Sequence, residues 1–186
     1  MKKNREIEAA VSSIIKALGE NGEREGLKDT PRRVAEALRE LTEGYSVDPK
    51  SVLDVEFNET SGMVVSKDIE FFSLCEHHML PFFGKVHIGY VPRNKVVGIS
   101  KLARLVEVFS KRLQLQERMT KQVADSIDKQ LSPLGVIVVV EAEHLCMKMR
   151  GAKTDSKILT SELRGLFEDF KAREEFFELL RLRSGE

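Results

Sequence analysis

The sequence lacks any excess of charge of one sign and any long hydrophobic run. Lys and Arg together number 30, and Asp and Glu also number 30, so the formal net charge is zero. This balance argues against a nucleic-acid-binding arm and against a membrane-binding face, because both need clustered positive charge. No apolar stretch reaches the roughly 20 residues that a membrane span requires. Little charge repulsion would oppose contact between copies, which favours self-association.

Cysteine and histidine are scarce, with two cysteines and four histidines in 186 residues. The first 20 residues show helical periodicity mixed with acidic side chains, and they lack the continuous apolar core of a signal peptide. We therefore expect a cytoplasmic protein whose cysteines stay reduced unless they bind a metal. The length suits one domain, or one domain with an appendage, that buries a core of its own.

Hydrophobic periodicity predicts an α+β protein, with an N-terminal helical segment over residues 1–50 and a body over residues 51–186. In the segment, Thr30 is predicted to cap a helix that has Pro31 at its first position. In the body, the pattern predicts strands over 63–74 and 84–92, paired helices over 100–113 and 116–131, a long strand over 136–150 and further helix over 160–183.

Three of the six cysteines and histidines fall within four positions of the stretch SLCEHHMLPF, as Cys75, His77 and His78. Cys75 and His78 have the C-x-x-H spacing, which lets two ligands in a tight turn bind one ion. Cys146 is the natural third ligand. A Cys₂His set leaves one position of a tetrahedral zinc open for water, which is the arrangement of catalytic zinc sites.

The predicted strand around Cys146 supports a site at this position. Residues two apart in a strand share a face, so one face would carry Ala142, His144, Cys146, Lys148 and Arg150. The opposite face would carry Leu145, Met147 and Met149 and would lie against the core. Together, His, Cys, Lys and Arg on one face indicate the wall of an anion-binding active site.

Plainer interpretations of these residues exist. Cys75 and Cys146 could form a disulfide, although a reducing compartment opposes it. They could also be inert buried cysteines beside ordinary histidines. His87 alternates with Val86 and Ile88 and is better explained as a polar strand residue than as a ligand.

Two predicted helix starts carry polar residues suited to a nucleotide. Ser100 is a good N-cap, and Lys101 and Arg104 oppose the helix dipole, which an anion bound at that N-terminus would explain. They could equally be solvated surface charges. At the next helix start, the carboxylate of Glu117 could accept hydrogen bonds from a guanine edge, beside Gln116. Alone, Glu117 is also a typical acid at a helix N-terminus.

Five stretches of the chain resemble the GTP cyclohydrolase I family. They are CEHHMLPFFGKVHIGYVP, GISKLARLVEVFSKRLQLQERMT, EAEHLCMKMRG, EGLKDTPRRVAEAL and KAREEFFELLR. The similarity spans nearly the whole chain, from about residue 5 to residue 182. The resemblance implies the tunnelling fold, an antiparallel sheet with a pair of long helices. It also implies decamers with active sites between subunits, and conversion of GTP and water into 7,8-dihydroneopterin triphosphate and formate.

The resemblance also implies roles for individual residues. The zinc ligands would be Cys75, His78 and Cys146, and the acid–base histidines would be His77 and His144. The triphosphate would be bound by Ser100, Lys101, Arg104 and Arg150, with Arg33 as a further candidate. The purine would be bound by Gln116 and Glu117. Zinc would activate a water for attack on guanine C8, and repeated proton transfers would follow before the pterin ring closes.

Two departures from the family pattern lie outside the ligands and histidines. After the last cysteine the chain reads MRGAKTDSKILTS, which is one residue short and has Ile158 where a threonine is usual. Glu36 stands where some members have a basic residue. The short loop leaves open an enzyme that opens the guanine ring without completing the pterin. A third hypothesis is a zinc-stabilised, nucleotide-binding oligomer without turnover, which the open Cys₂His set disfavours.

Overall fold

The computed structural model describes residues 2–54, 56–59 and 62–182, and its contacts divide these residues into two compact units. The first unit ends at Glu43 and contains helices α1 (Lys2–Ala17) and α2 (Thr30–Leu41), whose facing side chains include Ala35. Both helices were predicted, but the predicted cap residue, Thr30, is wrong. Asp29 is the N-cap residue and Thr30 is the first helical residue, with Pro31 in the first turn. The predicted boundary at residue 50 stays a prediction.

The second unit begins at Gly44, and its described residues form a five-stranded sheet, a two-stranded sheet and four further α-helices. Its strands are β1 (Glu56–Phe57), β2 (Val64–Cys75), β3 (Pro81–Val91), β4 (Val96–Val97), β5 (Leu113–Gln114), β6 (Gly135–His144) and β7 (Ile158–Gly165). Its helices are α3 (Ile99–Ser110), α4 (Gln116–Leu131), the single turn α5 (Leu145–Lys148) and α6 (Phe170–Arg181). The predicted α+β class is confirmed.

The main sheet has the order β5-β2-β3-β6-β7. Strands β2, β3, β6 and β7 pair antiparallel, and only the short β5 runs parallel to β2. Strands β2, β3 and β6 bury alternate residues on one face, where α3 and α4 cover them; Val86, Val138 and Leu105 are among the fully buried side chains of this core. Strand β6 also buries Ile137 and Val139 on its other face, whereas β7 has no fully buried residue. A smaller cluster around Phe167 and Phe176 covers part of the other face.

The predicted strand over residues 136–150 is too long. Strand β6 ends at His144, which pairs with Phe82, and the chain then forms α5. The physical reason is the loss of ladder partners: the next position of β3 is Pro81, which has no N–H to donate, and β7 stops pairing at Ala142. The residues beyond His144 therefore bond to each other, as in the Met149 N–H to Leu145 C=O bond of 3.0 Å.

This correction removes the shared strand face that was predicted beyond His144. Cys146 and Lys148 are helical rather than extended, and Met149, which was placed on the core face, is 63% exposed. The region predicted as helix from residue 160 is also wrong at its start, because residues 160–165 belong to β7. This strand is half exposed and rich in polar residues, so it lacks the apolar alternation that identifies strands in a sequence.

No helix among the described residues is long and apolar enough to cross a membrane.

Candidate metal centre and active site

A tight turn between β2 and β3 presents Cys75, His77 and His78. The N–H of Met79 donates to the carbonyl of Cys75 at 2.7 Å, and the N–H of Cys75 donates to the carbonyl of Leu80 at 2.9 Å. Met79 takes a left-handed conformation, with φ of 54°. These bonds close the turn and bring Cys75 Sγ to 3.9 Å from His78 Nδ1, as expected for two ligands of one ion.

The turn is fixed to α4 by an ion pair. The two terminal guanidinium nitrogens of Arg118 donate to the two carboxylate oxygens of Glu76, at 2.5 and 3.0 Å. The Arg118 hydrogen bond holds the pKa of the Glu76 carboxyl below its usual value. A two-point contact of this kind fixes direction as well as distance, so the turn carrying the candidate ligands has a defined orientation relative to the helix.

The structure brings the three predicted metal ligands together. One ligand atom from each of Cys75, His78 and Cys146 lies within 4.8 Å of the others. Cys75 is buried, Cys146 is partly buried and His78 is exposed, so the cluster has a dry interior and an open side. Both cysteines are free thiols, which agrees with a ligand role and not with the disulfide alternative.

The donor set fits a soft divalent cation. Burial, and after it the neighbouring Cys75, raises the pKa of the Cys146 thiol. Two sulfurs brought together in this way disfavour their own ionisation, and a bound cation offsets that cost because the thiolate is the ligand form. Two thiolates and one imidazole are typical ligands of zinc, and three protein ligands leave one position free.

His87 lies outside this cluster. Its Nδ1 accepts a hydrogen bond from the backbone N–H of Asp68 at 3.2 Å, and burial lowers its pKa. This geometry agrees with its interpretation as a polar strand residue.

His144 lies at the end of β6, two residues before the candidate ligand Cys146, and its ring is held on two sides. Its Nε2 is 2.8 Å from Gln116 Oε1. Its ring stacks on Phe82 with 4.7 Å between centroids and 6° between planes. Burial lowers the pKa of the imidazole, and the charge of Glu117 opposes that shift. Burial therefore favours the neutral form of this imidazole, whose ring is held by Phe82 and Gln116.

His77 has a different environment. Its side chain is exposed, and its ring centroid lies 6.1 Å from that of His78 in an edge-to-face arrangement. The two predicted acid–base histidines thus differ in packing: the His144 ring is stacked and hydrogen-bonded, whereas His77 is exposed.

The start of α3 differs from the predicted arrangement. The N-cap is Gly98, which makes no side-chain cap, and Ser100 lies exposed within the first turn. Lys101 Nζ is 2.7 Å from Asp54 Oδ1, and its side chain is only 16% exposed. Lys101 is therefore paired and mostly buried, unlike a solvated surface lysine. The Lys101 hydrogen bond lowers the pKa of Asp54, and Arg104 adds to that effect.

The other predicted anion ligands are exposed. Arg104 lies on α3, and Arg150 follows α5 close to the metal ligands, where its charge lowers the pKa of the Cys146 thiol slightly against the opposing effects. Arg33 belongs to the first unit, where it pairs with Asp29 at 3.5 Å.

The two predicted purine residues behave differently from each other. Glu117, in the first turn of α4, is exposed. Gln116 is 2% exposed, and its amide nitrogen lies 3.1 Å from Val140 O, 3.0 Å from Ile158 O and 3.2 Å from Thr160 Oγ1. Both the nitrogen and the oxygen of the Gln116 amide therefore contact other protein groups. The sequence did not predict these contacts.

Three residues that contribute to the site were not predicted. Phe82 supports the His144 ring, Thr160 binds the Gln116 amide, and Asp54 holds Lys101. The strand alternation around Phe82 gave no sign of a histidine partner. Thr160 was missed because its segment was predicted to be helical.

The short loop after Arg150 is held by ion pairs. Lys148 Nζ lies 2.6 Å from Glu143 Oε2 and 2.5 Å from Asp155 Oδ1. The loop ends at Ile158, which departs from the family pattern in its side chain but serves the site through its backbone carbonyl. The substitution therefore leaves the bond to Gln116 intact.

Comparison with known proteins identifies the family. A profile of the GTP cyclohydrolase I family matches residues 7–181. "GTP cyclohydrolase 1" of Bacteroides fragilis is 56% identical over 174 residues, covering 92% of this chain and 90% of that protein. The enzyme of the same name from Wolinella succinogenes is 54% identical, with coverages of 94% and 96%. The one from Homo sapiens is 55% identical, with coverages of 93% and 71%. With this agreement over nearly its whole length, the chain belongs to the GTP cyclohydrolase I family.

Proposed function

We propose that this enzyme is a GTP cyclohydrolase I, converting GTP and water into 7,8-dihydroneopterin triphosphate and formate. The observation that carries the proposal is the Cys75–His78–Cys146 cluster, with its ligand atoms within 4.8 Å of one another. The packed imidazole of His144 lies two residues away along the chain. Relatives more than half identical to the chain bear the name of this activity.

Zinc is the proposed metal, held by Cys75, His78 and Cys146. When bound, it supplies a Lewis acid and, at the free fourth position, a water of lowered pKa. The protein contributes the orientation of the ligands, through the closed turn that carries Cys75 and His78.

The two histidines are proposed to carry the protons of the reaction. Hydrolysis at guanine C8 requires a proton at N7, and the later opening and rearrangement of the ribose require several more transfers. His144 suits the steps at the purine, because its ring is held in place by Phe82 and Gln116 and burial favours its neutral form. His77 is exposed and free to serve a more mobile part of the substrate.

The start of α3 is proposed as the triphosphate site, with Ser100, Lys101, Arg104 and Arg150 as its ligands. Gly98 makes no side-chain cap, and the N-terminus of a helix favours an anion. Lys101 would exchange its carboxylate partner Asp54 for phosphate oxygens. Binding energy gained there, remote from C8, supports the chemistry at the purine.

Glu117 is proposed to read the guanine edge. Its carboxylate is exposed at the start of α4 and acts electrostatically on His144. A carboxylate accepts two hydrogen bonds from the N–H groups of guanine, which adenine does not offer in the same pattern.

We also propose that the enzyme works as a homo-oligomer, with a decamer that has active sites between subunits as the specific expectation from the family. Large apolar side chains lie exposed on the body, among them Phe72 at 63% and Leu159 at 64%. Contact between copies would remove such surface from water. Light scattering on the purified protein measures the number of subunits.

The first test is an anaerobic incubation of zinc-loaded protein with GTP that follows formate release and pterin fluorescence together. Both signals are expected, and both should vanish in Cys146→Ala. Formate without pterin would mean an enzyme that only opens the ring. GTP binding without either signal would mean a non-catalytic binding protein and would refute the proposal.

A matched variant separates metal binding from proton transfer. His144→Ala is expected to retain one zinc per chain and to lose most turnover, because its imidazole is not in the ligand cluster. Loss of zinc from this variant would contradict the division of roles between His78 and His144.

A further inference from the structure

The orientation of the Gln116 amide is determined by its surroundings. One end of the amide faces the backbone carbonyls of Val140 and Ile158, at 3.1 and 3.0 Å. Carbonyl oxygens only accept hydrogen bonds, so this end must be the NH₂ group. The other end, the carbonyl oxygen Oε1, therefore faces His144 Nε2 at 2.8 Å.

Two threonines support the same orientation. Thr120 Oγ1 lies 2.7 Å from the backbone carbonyl of Gln116, and this bond uses the single proton of the Thr120 hydroxyl. Thr120 and Thr160 are 2.7 Å apart through their hydroxyl oxygens. Thr160 must therefore donate to Thr120, and it accepts from the Gln116 NH₂ group by sharing one of that group's two hydrogens with a backbone carbonyl. The hydrogen bonds thus run in one direction, from the Gln116 NH₂ group to Thr160, from Thr160 to Thr120, and from Thr120 to the backbone carbonyl of Gln116.

The directions of these hydrogen bonds decide which ring nitrogen of His144 carries a hydrogen. Because Gln116 Oε1 can only accept, His144 Nε2 must carry a hydrogen. A neutral imidazole carries one such hydrogen, so Nδ1 holds the free lone pair. The stack on Phe82 fixes the plane of the ring, with 6° between the two planes.

We propose that Gln116 is a positioning residue that holds His144 as the Nε2–H tautomer and so presents Nδ1 as the atom that exchanges protons with the substrate. This inference rests on the proposed function and deepens it. A proton gained at Nδ1 leaves the bond from Nε2–H to Gln116 unchanged. The ring can thus take up and release a proton repeatedly without turning, which suits a reaction with several proton transfers in one site.

This role differs from purine binding, which the sequence suggested for Gln116. A side chain that bound the purine would act mainly on the KM for GTP. A side chain that positions His144 acts on kcat, because the bound substrate would meet a misoriented base.

The test uses zinc-loaded protein with ¹⁵N-labelled histidine rings, measured by solid-state NMR so that assembly size does not matter. The spectrum is recorded near pH 8, where an imidazole is neutral. The His144 signals are identified by their loss in His144→Ala. We expect a protonated Nε2 and an unprotonated Nδ1. An Nδ1–H tautomer in the wild-type protein would overturn the proposal before any other variant is made.

Gln116→Met is the second part of the test, because methionine has a similar length and cannot accept in place of Oε1. We expect mixed tautomers, a kcat reduced by roughly 10- to 100-fold, as for other partners that orient a functional imidazole, and little change in KM. A raised KM with unchanged kcat would instead assign Gln116 to the purine and overturn the proposal. An unchanged tautomer with unchanged kcat would also overturn it.

Thr160→Val is the matched control, since it removes one partner of the Gln116 NH₂ group and leaves both backbone carbonyls in place. The single His144 tautomer is expected to survive in this variant, and its loss would contradict the dominant role of the carbonyls. The tautomer is measured without turnover. A wild-type protein with Nε2–H and no activity on GTP would therefore refute the proposed function and leave the positioning geometry standing.

Discussion

The stack between Phe82 and His144 allows a quantitative prediction for the variant Phe82→Leu. Phe82 is fully buried and makes two ring contacts, one with His144 at 4.7 Å and one edge-to-face with Phe71 at 5.7 Å. Each aromatic pair contributes about 0.5–1.5 kcal/mol beyond area burial. Phe82→Leu therefore loses about 1–3 kcal/mol from ring pairing, in addition to the cost of the smaller side chain.

Phe71→Leu is the matched control. Phe71 is 3% exposed and belongs to the same core, and its substitution removes only the edge-to-face pair. The cost of changing Phe to Leu is shared, so the two variants should differ by the His144 stack alone, about 0.5–1.5 kcal/mol. In a chain of this size that corresponds to about 1–6 °C in the unfolding midpoint.

The kinetic difference between the two variants should be larger than the difference in stability. His144 loses its supporting ring only in Phe82→Leu, and a displacement of about 1 Å in a catalytic group can cost up to roughly 100-fold in rate. We expect kcat to fall by about tenfold or more in Phe82→Leu and to stay near wild type in Phe71→Leu. Thermal unfolding and steady-state assays with GTP measure both effects. Equal stability and equal kcat in the two variants would refute the reasoning that the stack holds His144.

Two further predictions concern stability. Burial lowers the pKa of both His87 and His144 below the ordinary 6.5, so the folded state binds fewer protons than the unfolded state. Stability is then fully present above about pH 6.5 and is lost as pH falls through the lower folded pKa. His87→Gln should flatten this loss in urea unfolding, and an unchanged slope would exclude His87 as a cause. Gly84→Ala should cost about 2 kcal/mol or more, because a Cβ would lie 1.9 Å from Glu141 O. Gly26→Ala, where nothing lies within 4 Å, should be close to neutral, and equal costs would contradict the packing argument.

The candidate metal ligands could be predicted because of their spacing and because cysteine is scarce in this sequence. The C-x-x-H spacing of Cys75 and His78 lies within one turn, so short-range geometry is enough to bring the two side chains together. Cys146 was selected because only two cysteines exist, and the structure places it at that turn although its predicted strand was wrong. The three residues therefore lie together as predicted, although the secondary structure predicted around Cys146 was wrong.

The wrong prediction around Cys146 shows that the local residue pattern does not determine where a strand ends. An extended chain needs hydrogen-bond partners on neighbouring strands, and the residues after His144 lose them because β3 begins at Pro81 and β7 pairs only as far as Ala142. No window of sequence around Cys146 contains Pro81. The same limit applies to β7, whose polar, half-exposed residues carry no clear alternation.

Residue pattern and chemistry alone were enough to predict the α+β class, the family and the candidate metal ligands, because these depend on periodicity, on residue chemistry and on motifs that span short distances. The positioning role proposed for Gln116, in contrast, follows from contacts that the tertiary structure makes. At a helix start its sequence position suits contact with a purine, but the fold closes α4, β6 and β7 around its amide. Which atoms surround a side chain depends on contacts 24 to 42 residues away along the chain, and those contacts set the direction of each hydrogen bond and hence the proton on His144.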